Sequence, residues 1–155
     1  MKSTYVLIIF LLVNFGALFV GSKLMGAGPT DNWYQNLNIA PWTPPGFVFG
    51  VAWSLIMITF SIYMRNLYMD NAGSFKLILV FFLIQLILNV SWNYTFFNQH
   101  QVFLSLIVIS SLLILLVFML FKFSSIFSIN FWLLLPYVVW LFIATSLNAY
   151  ILFNN

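Results

Sequence analysis

Residues 75–97 read FKLILVFFLIQLILNVSWNYTFF, and this stretch decides the architecture. A helix rises ~1.5 Å per residue, so a run of this length crosses a hydrocarbon core of about 30 Å. Its one charge, Lys76, stands at its start, and its polar residues are neutral. Working outward, four more apolar runs of similar size appear, at about 5–22, 45–67, 101–123 and 129–153. In lipid every backbone polar group must be satisfied within helices or a closed barrel, and these runs lack the short alternation of barrel strands. No internal repeat is visible. The reading is therefore all-α: one domain over 1–155, an integral membrane bundle of five transmembrane helices with a long structured first loop.

Composition agrees. The 155 residues are 64% hydrophobic, 21% aromatic and 5% charged, against roughly 25% charged in soluble domains. Without cysteine there is no thiol nucleophile, disulfide or thiolate metal site. Asp31, Asp70 and His100 are the only carboxylates and the only imidazole, too scattered for a metal site, which needs three or four converging ligands. No metal is expected. The five Lys and Arg residues do not form the clustered patch that nucleic acid requires. Lys2, Arg65, Lys76 and Lys122 fall on one side of a five-span topology and Lys23 on the other, so the positive-inside rule puts the N-terminus in the cytoplasm and the C-terminus outside. The lack of an obvious transit peptide and the Phe/Ile/Asn-heavy usage suggest a bacterial plasma membrane.

The first run has a rival reading as a cleavable signal peptide, with Lys2 ahead of it and Gly26-Ala27-Gly28 behind. Its apolar stretch is long for that role and Asn14 interrupts it, which favours a retained helix. The first loop, 23–44, contains Trp33, Tyr34, Leu37 and Trp42 with prolines at 41, 44 and 45. Bulky aromatics argue against disorder, and the prolines stiffen the chain. It reads as an aromatic cover over one mouth of the bundle, or alternatively as an interfacial aromatic belt. Thr43 is expected to cap the second helix, with Pro44 at its first position. His100 is expected to be solvated at the interface.

Polar groups at membrane depth need partners in the protein, in water or in a ligand. Gln85, Asn89, Trp92, Asn93 and Phe96 share one face of the third span, while Pro136, Trp140, Ala144 and Asn148 share one face of the fifth. Asn14, Gly21, Gly50, Trp53 and Ser54 would supply further walls. Each Asn is by itself better explained as interhelical glue than as a ligand contact. Trp53, Trp92 and Trp140 sit well inside their spans, where an indole N–H needs an acceptor, and this favours a chamber. Pro136 is expected to kink its helix. The Gly46-x-x-x-Gly50 pair serves either packing within the monomer or dimerisation.

The sequence resembles the TspO/MBR family in Trp33-Tyr34-x-x-Leu37, Ala40-Pro41-Trp42-Thr43-Pro44-Pro45-Gly46 and Val51-Ala52-Trp53. Further matches are Leu88-Asn89-x-x-Trp92 and Leu135-Pro136-Tyr137-x-x-Trp140-x-x-x-Ala144-Thr145-x-Leu147-Asn148. The resemblance implies a homodimeric five-helix bundle whose chamber binds porphyrins such as protoporphyrin IX and haem, and isoquinoline or benzodiazepine drugs, as ligands with no required cofactor. The ligand-binding residues it implies are Tyr34, Trp42, Trp53, Asn89, Trp92, Trp140, Ala144 and Asn148. It also implies light-dependent breakdown of protoporphyrin, with Trp53 and Trp140 as catalytic indoles. The animal relatives' cholesterol pattern needs Lys or Arg soon after the tyrosine, but Tyr150 is followed by Ile-Leu-Phe-Asn-Asn, which makes cholesterol binding doubtful. A tetrapyrrole transporter is the alternative, disfavoured because no internal repeat or mid-membrane ionisable group is seen. With no His or Cys at chamber depth, haem is expected to bind without a protein nitrogen ligand.

Overall fold

The computed structural model describes residues 2–70 and 75–155. Five long helices carry the fold: α1 (Lys2–Leu24), α3 (Gly46–Asp70), α4 (Phe75–Asn93), α5 (Val102–Phe123) and α6 (Ile129–Asn154). Between α1 and α3 the cover contains a 3-10 turn, Gly28–Thr30, and the short helix α2 (Asn32–Gln35). All five long helices are long and apolar enough to cross a membrane. The protein is an integral membrane protein of five candidate spans, and side chains such as Leu12, Val51, Ile87, Ile114 and Phe142 face outward where lipid would lie.

The helices close into a ring in the order α1, α3, α6, α5, α4. Their directions alternate, as contacts at the two ends show. Asn66 of α3 donates to the Asn130 side chain at the start of α6 (2.8 Å), and Tyr63 donates to the Met119 carbonyl near the end of α5 (3.2 Å). At the opposite end, Trp42 of the cover donates to Ser146 late in α6 (3.1 Å). We refer to these as the far end and the cover end.

Packing differs between the two halves. The far half is solid: Phe60, Tyr63, Met64, Leu116, Met119, Leu134, Tyr137 and Leu141 are fully buried there. Tyr137 also accepts a hydrogen bond from Gln85 Nε2 (2.9 Å), joining α4 and α6 across the ring. Because lipid tails are as apolar as leucine, the helices are held by close packing and such polar ties rather than by a hydrophobic drive. Toward the cover end the buried apolar residues thin out and a cavity opens.

Two local expectations are corrected. Thr43 does not cap α3: its hydroxyl and its N–H both donate to the Ala40 carbonyl (2.7 and 2.9 Å), and the helix starts at Gly46. Pro45 forces Pro44 out of the helical region, so the helix can begin only beyond the proline pair. The third span is not α-helical to residue 97 but finishes in a π-helical turn, Tyr94–Asn98. There the Thr95 hydroxyl lies 3.0 Å from the Ser91 carbonyl and 3.2 Å from that of Trp92, competing with the backbone ladder.

Among the amides inside the five long helices, Asn148 ties α6 to both α4 and α5. Its Oδ1 accepts from Trp92 Nε1 of α4 (3.0 Å) and lies 2.9 Å from Ser105 Oγ of α5, while its Nδ2 donates to the Val102 carbonyl (3.1 Å). Asn14 makes one tie, from Nδ2 to Ser61 Oγ (2.8 Å), and its own Oδ1 is buried without a partner. Asn148→Leu is expected to strand the Trp92 N–H and lower stability by roughly 1–3 kcal/mol. Asn14→Leu, which also removes an unpaired oxygen, is expected to be close to neutral. Thermal unfolding of the two variants in detergent compares them directly.

Candidate functional site

The cover is built by a few specific residues. Gly28 adopts φ +56 and is buried, and a Cβ there would lie 2.6 Å from the Met25 sulfur, so the turn after α1 requires glycine. Asp31 caps α2 by accepting from the Trp33 N–H (2.8 Å), which presents Trp33 and Tyr34 toward the bundle. Tyr34 packs against Phe96 and Phe97 of the π turn, with centroids 6.2 and 5.4 Å apart. Trp33 stacks flat on His100 (4.1 Å, 12°), so His100, exposed as expected, also helps hold the cover. Pro41 and Trp42 form the corner of the turn that Thr43 closes on Ala40. From there Trp42 reaches α6, donating to Ser146 and meeting the Tyr150 ring edge-on at 5.3 Å. Asn38 and Asn155 exchange two hydrogen bonds (2.8 and 3.3 Å).

Beneath this cover lies a cavity of about 570 Å³. Gly46, Phe49, Gly50, Trp53 and Ser54 of α3 form one wall, and Trp92, Asn93 and Phe97 form another. Leu18 and Met25 close it from the α1 side, and Pro29, Tyr34, Ile39, Thr43 and Pro44 of the cover roof it. No charged side chain lines it among the described residues. A Cβ at Gly46 or Gly50 would have nothing within 4 Å. The reading in which this pair packs helices together inside the monomer is therefore corrected: the glycines border open space. Two smaller cavities adjoin. One, of about 40 Å³, touches Tyr34, Phe49, Trp92, Phe97, Ala144 and Asn148; the other, of about 60 Å³, touches Trp53, Asn89 and Asn93. A hollow at the far end is lined by the single stretch 121–126, so it is not walled by several helices as the cover-end cavity is.

Comparison with known proteins agrees with this layout. Residues 6–153 match the TspO/MBR family. The chain belongs to that family. It is 30% identical over 153 residues to a tryptophan-rich protein TspO of Bacillus cereus, covering 96% of this chain and 94% of that one. It is 31% identical over 122 residues to the tryptophan-rich sensory protein of Cereibacter sphaeroides, covering 76% and 73%. It is 31% identical over 152 residues to the protein CrtK of Rhodobacter capsulatus, covering 88% and 89%. As a TspO/MBR protein the chain is a tryptophan-rich sensory membrane protein homologue, matched over nearly its whole length.

The residues singled out from sequence fall into three groups in this TspO/MBR bundle. Tyr34, Trp53 and Trp92 line the large cavity, and Asn89 lines its neighbour beside Trp53. Ala144 and Asn148 line the small cavity on the α6 side, which shares Tyr34 and Trp92 with the large one. Trp42 and Trp140 line none of these three cavities: Trp42 is 54% exposed and anchors the cover, while Trp140 is 7% exposed and packs edge-on against Phe49 at 5.2 Å. Sequence reasoning passed over Phe49, Phe97 and Met25. Phe49 lies four residues before Trp53 and Phe97 four after Asn93, so helical spacing could have found both.

Burial raises the Tyr34 phenol above its ordinary value of 10.0, so it stays a neutral hydroxyl at the cavity roof. The arrangement suits an apolar, flat guest held by ring faces and a few neutral polar groups. Trp42→Phe keeps a ring against Tyr150 but removes the bond to Ser146. It is expected to destabilise the cover by about 1 kcal/mol, roughly a fivefold gain in local opening. Hydrogen exchange of cover peptides should quicken by that factor, with peptides from α5 unchanged.

Proposed function

We propose that the cover-end cavity binds planar, largely apolar aromatic molecules, porphyrins such as protoporphyrin IX and haem first among them, with isoquinoline or benzodiazepine compounds as smaller guests of the same site. The observation that carries this reading is the cavity of about 570 Å³, walled by Phe49, Trp53, Trp92 and Phe97 and roofed by Tyr34. Stacked or edge-on aromatic contacts are worth roughly 0.5–1.5 kcal/mol each beyond the area they bury. With no cation on the walls, the propionates of a porphyrin stay at the mouth beside the cover. The far half of the bundle is filled by side chains, which supports binding at one end over passage through the ring. The four cations Lys2, Arg65, Lys76 and Lys122 stand toward the far end and Lys23 toward the cover end. This supports a cytoplasmic far end and a cavity that opens on the outer side. A homodimer is part of the same reading, from the family resemblance.

The cavity walls include no histidine or cysteine, and His100 is occupied against Trp33 outside them. A bound haem is therefore expected to show no histidine-type low-spin spectrum. Such a spectrum, lost in His100→Ala, would overturn that assignment.

Titration of the intrinsic indole fluorescence with protoporphyrin IX tests the binding. Quenching should saturate, Gly50→Phe should weaken affinity at least tenfold by filling the cavity, and Asn89→Leu should weaken it several-fold. Affinity unchanged by Gly50→Phe would remove the cavity from consideration. Light-driven oxidation of bound protoporphyrin by dissolved dioxygen, which is the oxidant and is itself reduced, is a second reading, favoured by Trp53 on the wall. Under illumination, equal loss of the porphyrin band with and without protein would dismiss it.

A further inference from the structure

At the far end, the last turns of α3 meet the first turn of α6 through three polar side chains in a row. Arg65 donates from Nη1 to Asn66 Oδ1 (2.8 Å), and Asn66 donates from Nδ2 to Asn130 Oδ1 (2.8 Å). Each amide oxygen in this relay already accepts a hydrogen bond. Donors are what it leaves over: Arg65 Nε is buried without a partner, and Asn130 Nδ2 donates to no described group. No carboxylate balances the guanidinium among the described residues. Of the two acidic residues in the chain, Asp31 caps α2 in the cover, and Asp70, further along α3, is exposed and not paired with Arg65.

Arg65 thus differs from the other cations at this end. Lys2, Lys76 and Lys122 are exposed and find their counter-charge in water, whereas Arg65 is partly withdrawn from it. A cation in that position with a buried donor unsatisfied is costly unless an anion completes it. With Nη1 spent on Asn66, the edge of the guanidinium formed by Nε and Nη2 remains, and that fork matches two oxygens of a phosphate. The surroundings are apolar. Ile126, Phe127, Ile129 and Trp132 are all exposed around the start of α6. Phe127 takes φ 65, a backbone conformation that bulky residues seldom adopt, with its ring 6.3 Å from those of Phe131 and Trp132. Exposed rings at the end of a span sit at headgroup depth, beside acyl chains.

We propose that this corner binds the phosphate of an anionic phospholipid, held by the Nε–Nη2 edge of Arg65, with the Asn130 amide as a further donor and the acyl chains against Phe127 and Trp132. Nε is covered in the present arrangement, so the guanidinium tilts outward on its flexible stem to offer that edge. Lys76 and Lys122 contribute a field that favours a headgroup of net negative charge. Phosphatidylglycerol carries its phosphate without a cation. Phosphatidylcholine carries the same phosphate with a quaternary amine, which these side chains repel. The lipid belongs to whichever leaflet the far end meets, so the site depends neither on the orientation of the chain nor on the cover-end cavity.

The test uses full-length protein in detergent, with bound lipid counted by native mass spectrometry during titration with phosphatidylglycerol or with phosphatidylcholine of the same chains. The native protein should bind phosphatidylglycerol about tenfold more tightly, and Arg65→Gln should abolish that preference, because the charge-assisted fork is gone. Arg65→Lys, which keeps the charge without the fork, should lie between. Lys122→Gln, which removes an exposed cation from the same end, should change the affinity by less than about twofold. Asn130→Asp leaves Arg65 in place but sets a carboxylate at the corner, and should weaken phosphatidylglycerol several-fold; it keeps the test open if Arg65→Gln does not fold. Equal binding of the two lipids by the native protein overturns the proposal, as does a preference that survives Arg65→Gln or, where that variant fails to fold, Asn130→Asp. Equal losses in Arg65→Gln and Lys122→Gln overturn the site in favour of a diffuse field. Millimolar inorganic phosphate should not displace the lipid; if it does so from the native protein, the free anion suffices and the lipid assignment is overturned.

Discussion

The side-chain amide of Asn148 holds the cover half of the bundle at its spacing. One oxygen takes the Trp92 N–H from α4 and faces the Ser105 hydroxyl of α5, and the nitrogen ties back to the first turn of α5. In a bilayer no hydrophobic drive squeezes helices together, so an interhelical gap persists if polar ties set the distance on one side and a bulky wall stands on the other. That is the situation here. α4, α5 and α6 are joined at Asn148, and α1 and α3 supply facing walls of the cavity through Leu18, Phe49 and Trp53. The hollow lies between these two groups.

Such a hollow also needs a roof, and the first loop supplies one because its backbone has little freedom. Two glycines at positive φ reverse the chain after α1, an aspartate cap starts α2, and a proline-led turn aims Trp42 at α6. The anchors are shared between two elements: His100 and the π turn hold Trp33 and Tyr34, while α6 holds Trp42. Lifting the roof at one edge therefore leaves the other attached, which suits a cover that admits a guest without unfolding.

Much of this was legible in the sequence, for physical reasons that differ by residue. The five helices were readable because a span without charges has few alternatives in lipid. The stripe from Gln85 to Phe96 was readable because polar side chains at helical spacing inside such a span must face protein. The second helix start was misread at Thr43 because the cap rule competes with the restriction that one proline places on the residue before it, and the restriction prevails at Pro44-Pro45. The π turn was hidden because it depends on where the Thr95 hydroxyl points. The separation of Trp53 from Trp140 was hidden as well. Periodicity puts both indoles on inward faces, but it does not say that Trp53 lines the cavity while Trp140 packs edge-on against Phe49.

The neutrality of the walls constrains what can be held there. A site with fixed charges selects guests by matching charge, whereas this one offers ring faces, a flexible thioether at Met25 and polar groups without charge. Attraction from such surfaces is summed over contact area and depends weakly on the detailed chemistry of the guest, and methionine adapts its shape to fill gaps. Discrimination must then come from size and from the few directional atoms that are not already satisfied. Asn148 and Trp92 use their hydrogen bonds on each other, and Tyr137 uses its hydroxyl on Gln85. The indole N–H of Trp140 is a directional donor left without an acceptor among the described residues.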